Sequence, residues 1–312
     1  MFRTLALVAL MLLPGTAFAR CEGVVPWAKP QNTARDFVGT KMDDIIDQGW
    51  IEFAVYEDFP PYSYTDAGQP VGVDIEVGQI IAQSLGVEAR FRPVQAGENV
   101  QADLLNYVWQ GAAVDGRVSN VLLRVPYNSD FTCLVEQVVF TGQYAGEQIA
   151  IAYALKAYPD AVAGPTSEGR HDGAPVPAFF RYDTVGIEND SIADFYLTST
   201  LGGGAAANIH RFARVGLAMD ALAKGEVMAV MGPLAQLQAG ADAKMGANDS
   251  IKVHTPPMAG FATGRWTLGV AIHQSHRDLA YAVDDAIVAA LADGRIKAAY
   301  AKFGLEFTAP AR

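Results

Sequence analysis

The first third of the chain alternates apolar runs at strand spacing with apolar residues at helical spacing. The run IEFAVY at 51–56 predicts a strand, and it leads into a loop rich in turn residues and aromatics, EDFPPYSYTDAGQPVG. Residues 74–86 place apolar side chains at helical spacing, so we expect a helix capped by Asp74 and ended by Gly86. A second strand is predicted at 87–94. Strand, helix and strand in this order form a βαβ unit, which implies a parallel sheet.

The same alternation resumes after a break in composition. Strands are predicted at 118–125, 135–140 and 148–153, and residues 154–182 are then rich in Ala, Pro and Gly. A second set of α/β elements follows: strand 184–188, a helix capped within 189–191, helix 216–223, strands 227–231 and 266–272, and helices 278–291 and 295–303. The pattern therefore predicts two α/β lobes, with a ligand cleft at the carboxyl ends of their strands.

The N-terminus has the features of a secretory signal peptide at residues 1–19. A basic residue precedes an apolar run, and AFA at 17–19 fits the small-x-small cleavage pattern. The run is shorter than the roughly 20 residues that cross a bilayer. A lipid anchor at Cys21 is the alternative, but Arg20 stands where lipidation signals need a small residue. We therefore expect a periplasmic protein, cleaved near Ala19 and not inserted in a membrane.

The amino-acid composition argues against some classes of binding partner and predicts one covalent link. The 312 residues carry a net charge of −11, which argues against nucleic acid and anionic membrane surfaces. Two cysteines in an exported chain predict a disulfide between Cys21 and Cys133, which would tie an extended arm at 20–40 to the first lobe; two unpaired thiols are the alternative. His273 and His276 are expected in a solvated turn, and no motif for a metal or cofactor is found.

Six segments taken in order resemble the periplasmic solute-binding proteins of polar-amino-acid ABC importers, the family 3 type. They are GWIEFAVYEDFPPYSY, GQPVGVDIEVGQIIAQSLGVEARFRPV, VGIENDSIADFY, ALAKGEVMAVMGPL, WTLGVAI and ALADGRIKAAYAKFG. The resemblance implies the type II two-lobed α/β fold, in which each lobe is a mostly parallel sheet flanked by helices. It also implies hinge closure on a ligand. We expect lobe 1 at 41–147 plus 273–312, lobe 2 at 154–265, and hinge strands at 148–153 and 266–272.

Two departures from that family concern the ligand anchors. Its amino-acid binders hold the ligand carboxylate with an arginine shortly after the strand that ends here at Pro126, but residues 127–131 read YNSDF. They hold the ligand ammonium with an aspartate just beyond the later strand, where this chain has Gly232-Pro233. We therefore expect a neutral, aromatic-lined cleft that does not bind an α-amino acid.

A narrower resemblance accompanies these losses. The segments NYVWQG, NVLLRVPYN and GEVMAVMGPLAQLQAG look like the substrate-binding-like accessory proteins of bacterial quinoprotein (PQQ-dependent) alcohol and methanol dehydrogenases. This implies an accessory role beside such a dehydrogenase. The alternative is an ABC-importer receptor that delivers a non-amino-acid solute to its permease, and a cyclohexadienyl-dehydratase-like enzyme is a third reading. The sequence shows no general acid and no group that would hold a substrate carboxylate, so we do not expect an enzyme.

The expected ligand contacts lie at the strand ends and in the aromatic loop. They are Tyr56, Asp58, Phe59, Tyr62, Pro126, Tyr127, Asn128, Asp190, Ser191, Met231, Gly232 and Pro233.

Overall fold

The computed structural model describes residues 21–28, 38–127, 129–162, 173–244, 250–258 and 264–311. The predicted signal peptide and most of the predicted arm therefore lie outside the described residues. No helix within the described ranges is long and apolar enough to cross a membrane.

The described strands form one large sheet and a small hairpin. They are β1 (Trp50–Tyr56), β2 (Tyr64–Asp66), β3 (Gln69–Val71), β4 (Glu88–Val94), β5 (Val121–Tyr127), β6 (Val138–Ala154), β7 (Val185–Glu188), β8 (Ile209–Phe212), β9 (Ala229–Pro233), β10 (Ile251–His254) and β11 (Arg265–His273).

The described helices cover the faces of the large sheet. They are α1 (Met42–Gln48), α2 (Val73–Leu85), α3 (Val100–Leu104), α4 (Ser129–Leu134), α5 (Ile192–Leu201), α6 (Val215–Lys224), α7 (Leu234–Lys244), α8 (Arg277–Ala292) and α9 (Arg295–Lys302). A π-helical turn, Leu105–Trp109, continues α3.

The large sheet has the order β4-β1-β5-β11-β6-β9-β7-β8, with β10 also paired to β6. At one end, β1 is parallel to β4 and β5, as the βαβ pattern predicts. At the other end, β7 is parallel to β8 and β9. We call the β4-β1-β5-β11 part lobe 1, with α1, α2, α8 and α9. Lobe 2 is the β9-β7-β8 part, with β10 and helices α5 to α7.

Strand β6 connects the two lobes. Its first part, up to Gln148, pairs antiparallel with β11, and from Ile149 onward it pairs with β9 and β10. The two separate strands predicted at 135–140 and 148–153 are thus one strand of 17 residues. Strand β11 pairs only with β5 and β6 among the described strands, and the numbered lobe and hinge boundaries remain predictions.

Helix α2 starts differently from the prediction. Its N-cap is Gly72, so the prediction that Asp74 caps the helix is wrong. Gly72 has a φ of 133°, and a Cβ there would lie 2.1 Å from the carbonyl oxygen of Tyr62, so only glycine fits this turn. Asp74 lies inside the first turn and is buried, because the turn points its carboxylate into lobe 1. The predicted stop at Gly86 is confirmed by its left-handed C-cap conformation.

The start of the described chain is attached to lobe 1. Cys21 and Cys133 form the disulfide that the sequence predicts, with Cα atoms 5.3 Å apart. The amide of Trp27 donates a 2.8 Å hydrogen bond to the carbonyl of Leu134. These two contacts hold the described part of the arm, residues 21–28, against the end of α4.

The expected solvated turn at His273 and His276 is wrong, because both side chains are buried. The Ser275 amide donates to His273 Nδ1 at 3.1 Å, and His276 Nε2 contacts the carbonyl of Val38. The His276 imidazole therefore helps to hold the residues near Val38 on lobe 1. Within the described ranges, no group of three or more His, Cys, Asp or Glu side chains is placed to hold a metal ion.

Candidate functional site: the cleft between the lobes

A cleft of about 900 Å³ lies between the lobes, where the parallel strands of each lobe end. Lobe 1 contributes residues 56–60, which begin with the last residue of β1, and Gln95 and Ala96, which follow β4. Lobe 2 contributes Glu188 at the end of β7, the start of α6, and one face of α7. Open α/β sheets bind ligands at the carboxyl ends of their strands, so the topology makes the cleft the candidate site.

The lobe 1 wall presents aromatic rings. Tyr56 and Phe59 meet edge to face, with ring centroids 6.0 Å apart, and Phe59 lies 5.2 Å from the ring of Tyr62. The Tyr56 hydroxyl donates a 2.7 Å hydrogen bond to Asp103. Burial, together with the Asp103 charge, raises the pKa of Tyr56 well above its usual value. Tyr56 thus keeps its hydroxyl in the lobe and lines the cleft through its ring.

A buried polar network lies beneath that wall. Tyr62 is 1% exposed, and its hydroxyl donates a 2.5 Å hydrogen bond to Glu147 on β6. The Arg124 guanidinium stacks on the Tyr62 ring, with Cζ 3.1 Å from the centroid. Its Nε lies 2.9 Å from Asp74, and Tyr144 donates to the other oxygen of Asp74 at 3.1 Å. Side chains from α2, β5 and β6 are joined in this way.

Arg124 keeps its charge inside this network. Burial alone would lower the pKa of the guanidinium, but the charge of Asp74 raises it well above its ordinary value. Burial raises the pKa of Glu147, although Arg124 at 3.6 Å and the Tyr62 hydroxyl act in the opposite direction. Arg124 is therefore held in the interior of lobe 1 and does not line the cleft.

In lobe 2, the first helix after β7 begins with a closed set of internal hydrogen bonds. The Ser191 side chain caps the helix by accepting from the Asp194 amide at 3.2 Å, and the Asp194 carboxylate accepts from the Asp190 amide, just before the cap, at 3.2 Å. Arg211 donates two hydrogen bonds of 2.8 and 2.9 Å to Asp194. Burial by itself raises the pKa of Asp194, but the hydrogen bonds from Arg211, Asp190 and Thr198 lower it below its ordinary value. The Ser191 side chain thus caps the third amide of α5, while Arg211 and the Asp190 amide bind the Asp194 carboxylate.

The start of α6 binds a carboxylate of the chain. Glu188 Oε2 accepts a 3.2 Å hydrogen bond from the amide of Val215, the first residue of α6. Burial raises the pKa of Glu188, while this hydrogen bond and the charge of Arg214 lower it. A helix N-terminus attracts anions, and here that role is filled by Glu188.

Two contacts cross the cleft. Arg214 of lobe 2 forms an ion pair with Asp58 of lobe 1. The side-chain amide of Gln236 on α7 donates to the carbonyl of Pro60 at 3.4 Å. Arg214 is the one cation among the described lining residues, and it is already paired across the lobes.

The structure brings only part of the predicted set to the cleft. Tyr56, Asp58 and Phe59 line it, whereas Tyr62 lies beneath the wall. Their role as ligand contacts remains a prediction.

The other predicted contacts lie away from the cleft lining. Pro126 and Tyr127 pair with β11, Asp190 and Ser191 form the start of α5, Met231 and Gly232 are buried in β9, Pro233 pairs with Ile149, and Asn128 is outside the described residues.

Sequence reasoning missed most of the charged lining. Glu57, Glu188, Arg214 and Asp220 all line the cleft, so the expectation of a neutral cleft is wrong. One signal was available: Glu188 is the last residue of a predicted strand, where cleft residues are expected. The others could not be found, since a charge in a loop or on a helix is usually a solvated one.

The family model described as "Bacterial extracellular solute-binding proteins, family 3" matches residues 51–306. A comparison with curated protein sequences gives no match.

Solved structures with the same fold include three bacterial or reconstructed receptors. One is an ancestral cationic amino acid solute-binding protein, 16% identical, with a TM-score of 0.62 over 84% of this chain and 98% of that one. Another is an amino acid ABC transporter substrate-binding protein from Streptococcus pneumoniae bound to L-arginine, 16% identical, with a TM-score of 0.61 over 86% and 98%. A third is a solute receptor for L-cysteine of Neisseria gonorrhoeae, 20% identical, with a TM-score of 0.57 over 85% and 93%. The predicted type II two-lobed fold is confirmed.

Proposed function

Because the chain belongs to the bacterial extracellular solute-binding proteins of family 3, we propose that it is a periplasmic solute-binding protein whose cleft does not accept an α-amino acid. The observation that carries this proposal is that the start of α6, which lines the cleft, already binds a carboxylate of the chain, Glu188, and that the start of α5 is capped by the Ser191 side chain. A ligand carboxylate would need those amides or a free arginine.

The cations near the cleft support the same conclusion. Arg214 is paired with Asp58, Arg211 with Asp194, and Arg124 with Asp74. Arg124 and Arg211 do not line the cleft, so a ligand carboxylate must either open the Arg214–Asp58 pair, with Asp58 remaining beside it as a like charge, or stay without a partner. Leaving a buried carboxylate unpaired costs several kcal/mol, which is enough to abolish useful affinity.

We propose that the protein acts as an accessory of a PQQ-dependent alcohol or methanol dehydrogenase. The support is the resemblance of NYVWQG, NVLLRVPYN and GEVMAVMGPLAQLQAG to such accessories, together with a cleft unsuited to amino acids. The second candidate is a receptor that delivers a non-amino-acid solute to an ABC permease. It is favoured by the size of the cleft, which lies in the range of small-molecule sites.

We propose no catalytic role. Dehydration on this scaffold requires a cationic group that holds the substrate carboxylate, and the one described cation of the cleft is paired.

Two measurements test these proposals. Thermal shift and calorimetry of the mature protein should give no saturable binding of glutamine or arginine. A genuine ligand should stabilise the protein by about 3 kcal/mol at a hundred times its dissociation constant. Tight binding of either amino acid would overturn the proposal for the cleft.

Co-purification separates the two roles. Retention of a periplasmic PQQ dehydrogenase on the tagged protein supports the accessory role. Stimulation of a reconstituted permease and its ATPase by the liganded protein, with no retention of the dehydrogenase, would support the importer role instead.

A further inference from the structure

We infer that the cleft selects an organic cation that carries no carboxylate, such as a primary or quaternary alkylammonium compound. The inference rests on the proposal that the cleft holds a small solute, and it specifies the chemical class of that solute.

Most of the charged side chains that line the cleft are negative. Four carboxylates line the cleft, those of Glu57, Asp58, Glu188 and Asp220, against the single guanidinium of Arg214, so the formal charge of the described lining is −4 + 1 = −3. The Arg214 charge is already matched by Asp58. A cleft lined by one sign of charge attracts ligands of the opposite sign, because its walls focus the field.

The acidic groups come from both lobes. Glu57 follows β1 in lobe 1, whereas Glu188 ends β7 and Asp220 lies on α6 in lobe 2. Like charges on facing walls repel each other when the cleft narrows. A cation between them relieves that repulsion, so it would bind both walls and favour closure.

The aromatic wall adds a second feature suited to an ammonium group. Phe59 and Tyr56 present their rings to the cleft, and the Tyr56 hydroxyl is bonded inside lobe 1. Aromatic faces attract ammonium groups within about 6 Å of the ring centroid. The wall thus suits a cation with an apolar body, which a metal ion or a dicarboxylate does not have.

A carboxylate on the ligand would meet unfavourable surroundings. The first amide of α6 already binds Glu188, the third amide of α5 binds the Ser191 side chain, and the Arg214 pair would have to open. This separates the inferred ligand from arginine or ornithine, which carry a cation and a carboxylate together.

Calorimetry on the mature protein, with ligands matched in shape, tests this inference. Putrescine is compared with the uncharged diol of the same chain length, with succinate, and with ornithine, which is putrescine with one added carboxylate. Choline is compared with its neutral isostere, in which carbon replaces nitrogen. At least one of the two cations should bind saturably and at least about tenfold more tightly than its matched neutral or carboxylate-bearing partners. Added salt should weaken the binding of the cation.

A variant pair locates the site. Glu57→Gln should weaken binding of that cation by about tenfold, because it removes a charge from one wall. The matched control is Glu136→Gln, an exposed carboxylate that does not line the cleft, and it should leave affinity unchanged. Equal loss in both variants would overturn the assignment to this wall.

The possible outcomes distinguish failure of the cation inference from failure of the proposed solute-binding function. If a neutral isostere or diol binds as well as the cation, the cation inference fails while the solute receptor stands. If ornithine or succinate binds more tightly, both the inference and the exclusion of carboxylates fail. If nothing in this series or in a wider panel of neutral solutes binds, the small-solute receptor fails along with the inference.

Discussion

The Tyr62 hydroxyl donates a 2.5 Å hydrogen bond to Glu147, and this bond ties the cleft loop of lobe 1 to the strand that both lobes share. Glu147 lies two residues before Ile149, where β6 exchanges β11 for β9 as its partner. Phe59, on the cleft wall, packs against the Tyr62 ring, with the two ring centroids 5.2 Å apart. A ligand in contact with Phe59 would therefore be linked through the Tyr62 side chain to β6, the strand that connects the lobes.

The buried guanidinium of Arg124 should be the most sensitive charge in lobe 1. Arg124→Met removes the partner of Asp74 and the cation nearest Glu147, both of which are buried. We expect a loss of about 3–5 kcal/mol in the free energy of unfolding, because a buried charge is left uncompensated. Urea denaturation followed by circular dichroism measures the loss. Lys302→Gln, which breaks an exposed pair with Glu76, should cost only about 0–1 kcal/mol. Equal effects in the two variants would contradict a special role for the network.

The stability contributed by Asp194 should depend on pH with a defined sign. Its pKa is lowered in the folded state, so its contribution is present above its unfolded pKa of about 4 and is lost as pH falls through the lower folded value. Asp194→Asn should therefore destabilise the protein by about 1–3 kcal/mol at neutral pH. The difference from the wild type should shrink below about pH 4.

The measurement for Asp194 is urea unfolding at a series of pH values. The matched control is Asp285→Asn, an exposed aspartate in the middle of α8. Its difference from the wild type should stay small across the range. A difference for Asp194→Asn that grows toward acid pH would show that the sign is wrong.

The ion pair between Asp58 and Arg214 should affect the opening of the lobes more than the stability of the fold. The two side chains are 71% and 53% exposed, so the pair contributes only about 0–1 kcal/mol to folding. Arg214→Gln should leave the urea midpoint nearly unchanged but increase the radius of gyration of the ligand-free protein at low salt, as measured by X-ray scattering. Arg117→Gln, which breaks an exposed pair with Glu52 inside lobe 1, is the control and should change neither quantity strongly. An unchanged radius for Arg214→Gln would mean that the pair does not hold the lobes together.

Two glycines of helices should respond to alanine in opposite directions. A Cβ on Gly78 of α2 would lie 2.5 Å from the ring of Phe91, which itself stacks on Phe53. Gly78→Ala should therefore cost about 1–3 kcal/mol by overpacking. A Cβ on Gly216 of α6 meets nothing within 4 Å, so Gly216→Ala should stabilise the ligand-free protein by roughly 0.5–1 kcal/mol. Thermal unfolding of both variants checks the pair, and a stabilised Gly78→Ala would contradict the close packing of α2 on β4.

Much of the fold could be predicted from local patterns. The βαβ unit, the glycine that ends α2 and the Cys21–Cys133 disulfide all follow from short-range periodicity, turn chemistry or cysteine count. Asp74 was misassigned because an aspartate near a helix start has the same local sequence whether it caps the helix or turns inward. The partner that draws it inward, Arg124, lies 50 residues away. His273 and His276 were misassigned for a related reason, since their polar neighbours in sequence are not their neighbours in space.

The sequence by itself determined the βαβ unit of lobe 1, the two-lobed class and the absence of an arginine where the amino-acid binders carry one, because these depend on residue type and local spacing. Only the tertiary structure decided which charges face the cleft. Asp58 and Arg214 are 156 residues apart in the chain, yet they pair across it. Chain folding brings the ends of β1 and β4 in lobe 1 and of β7 and β8 in lobe 2 to one cleft, and the charges at these ends give the cleft its electrostatic character.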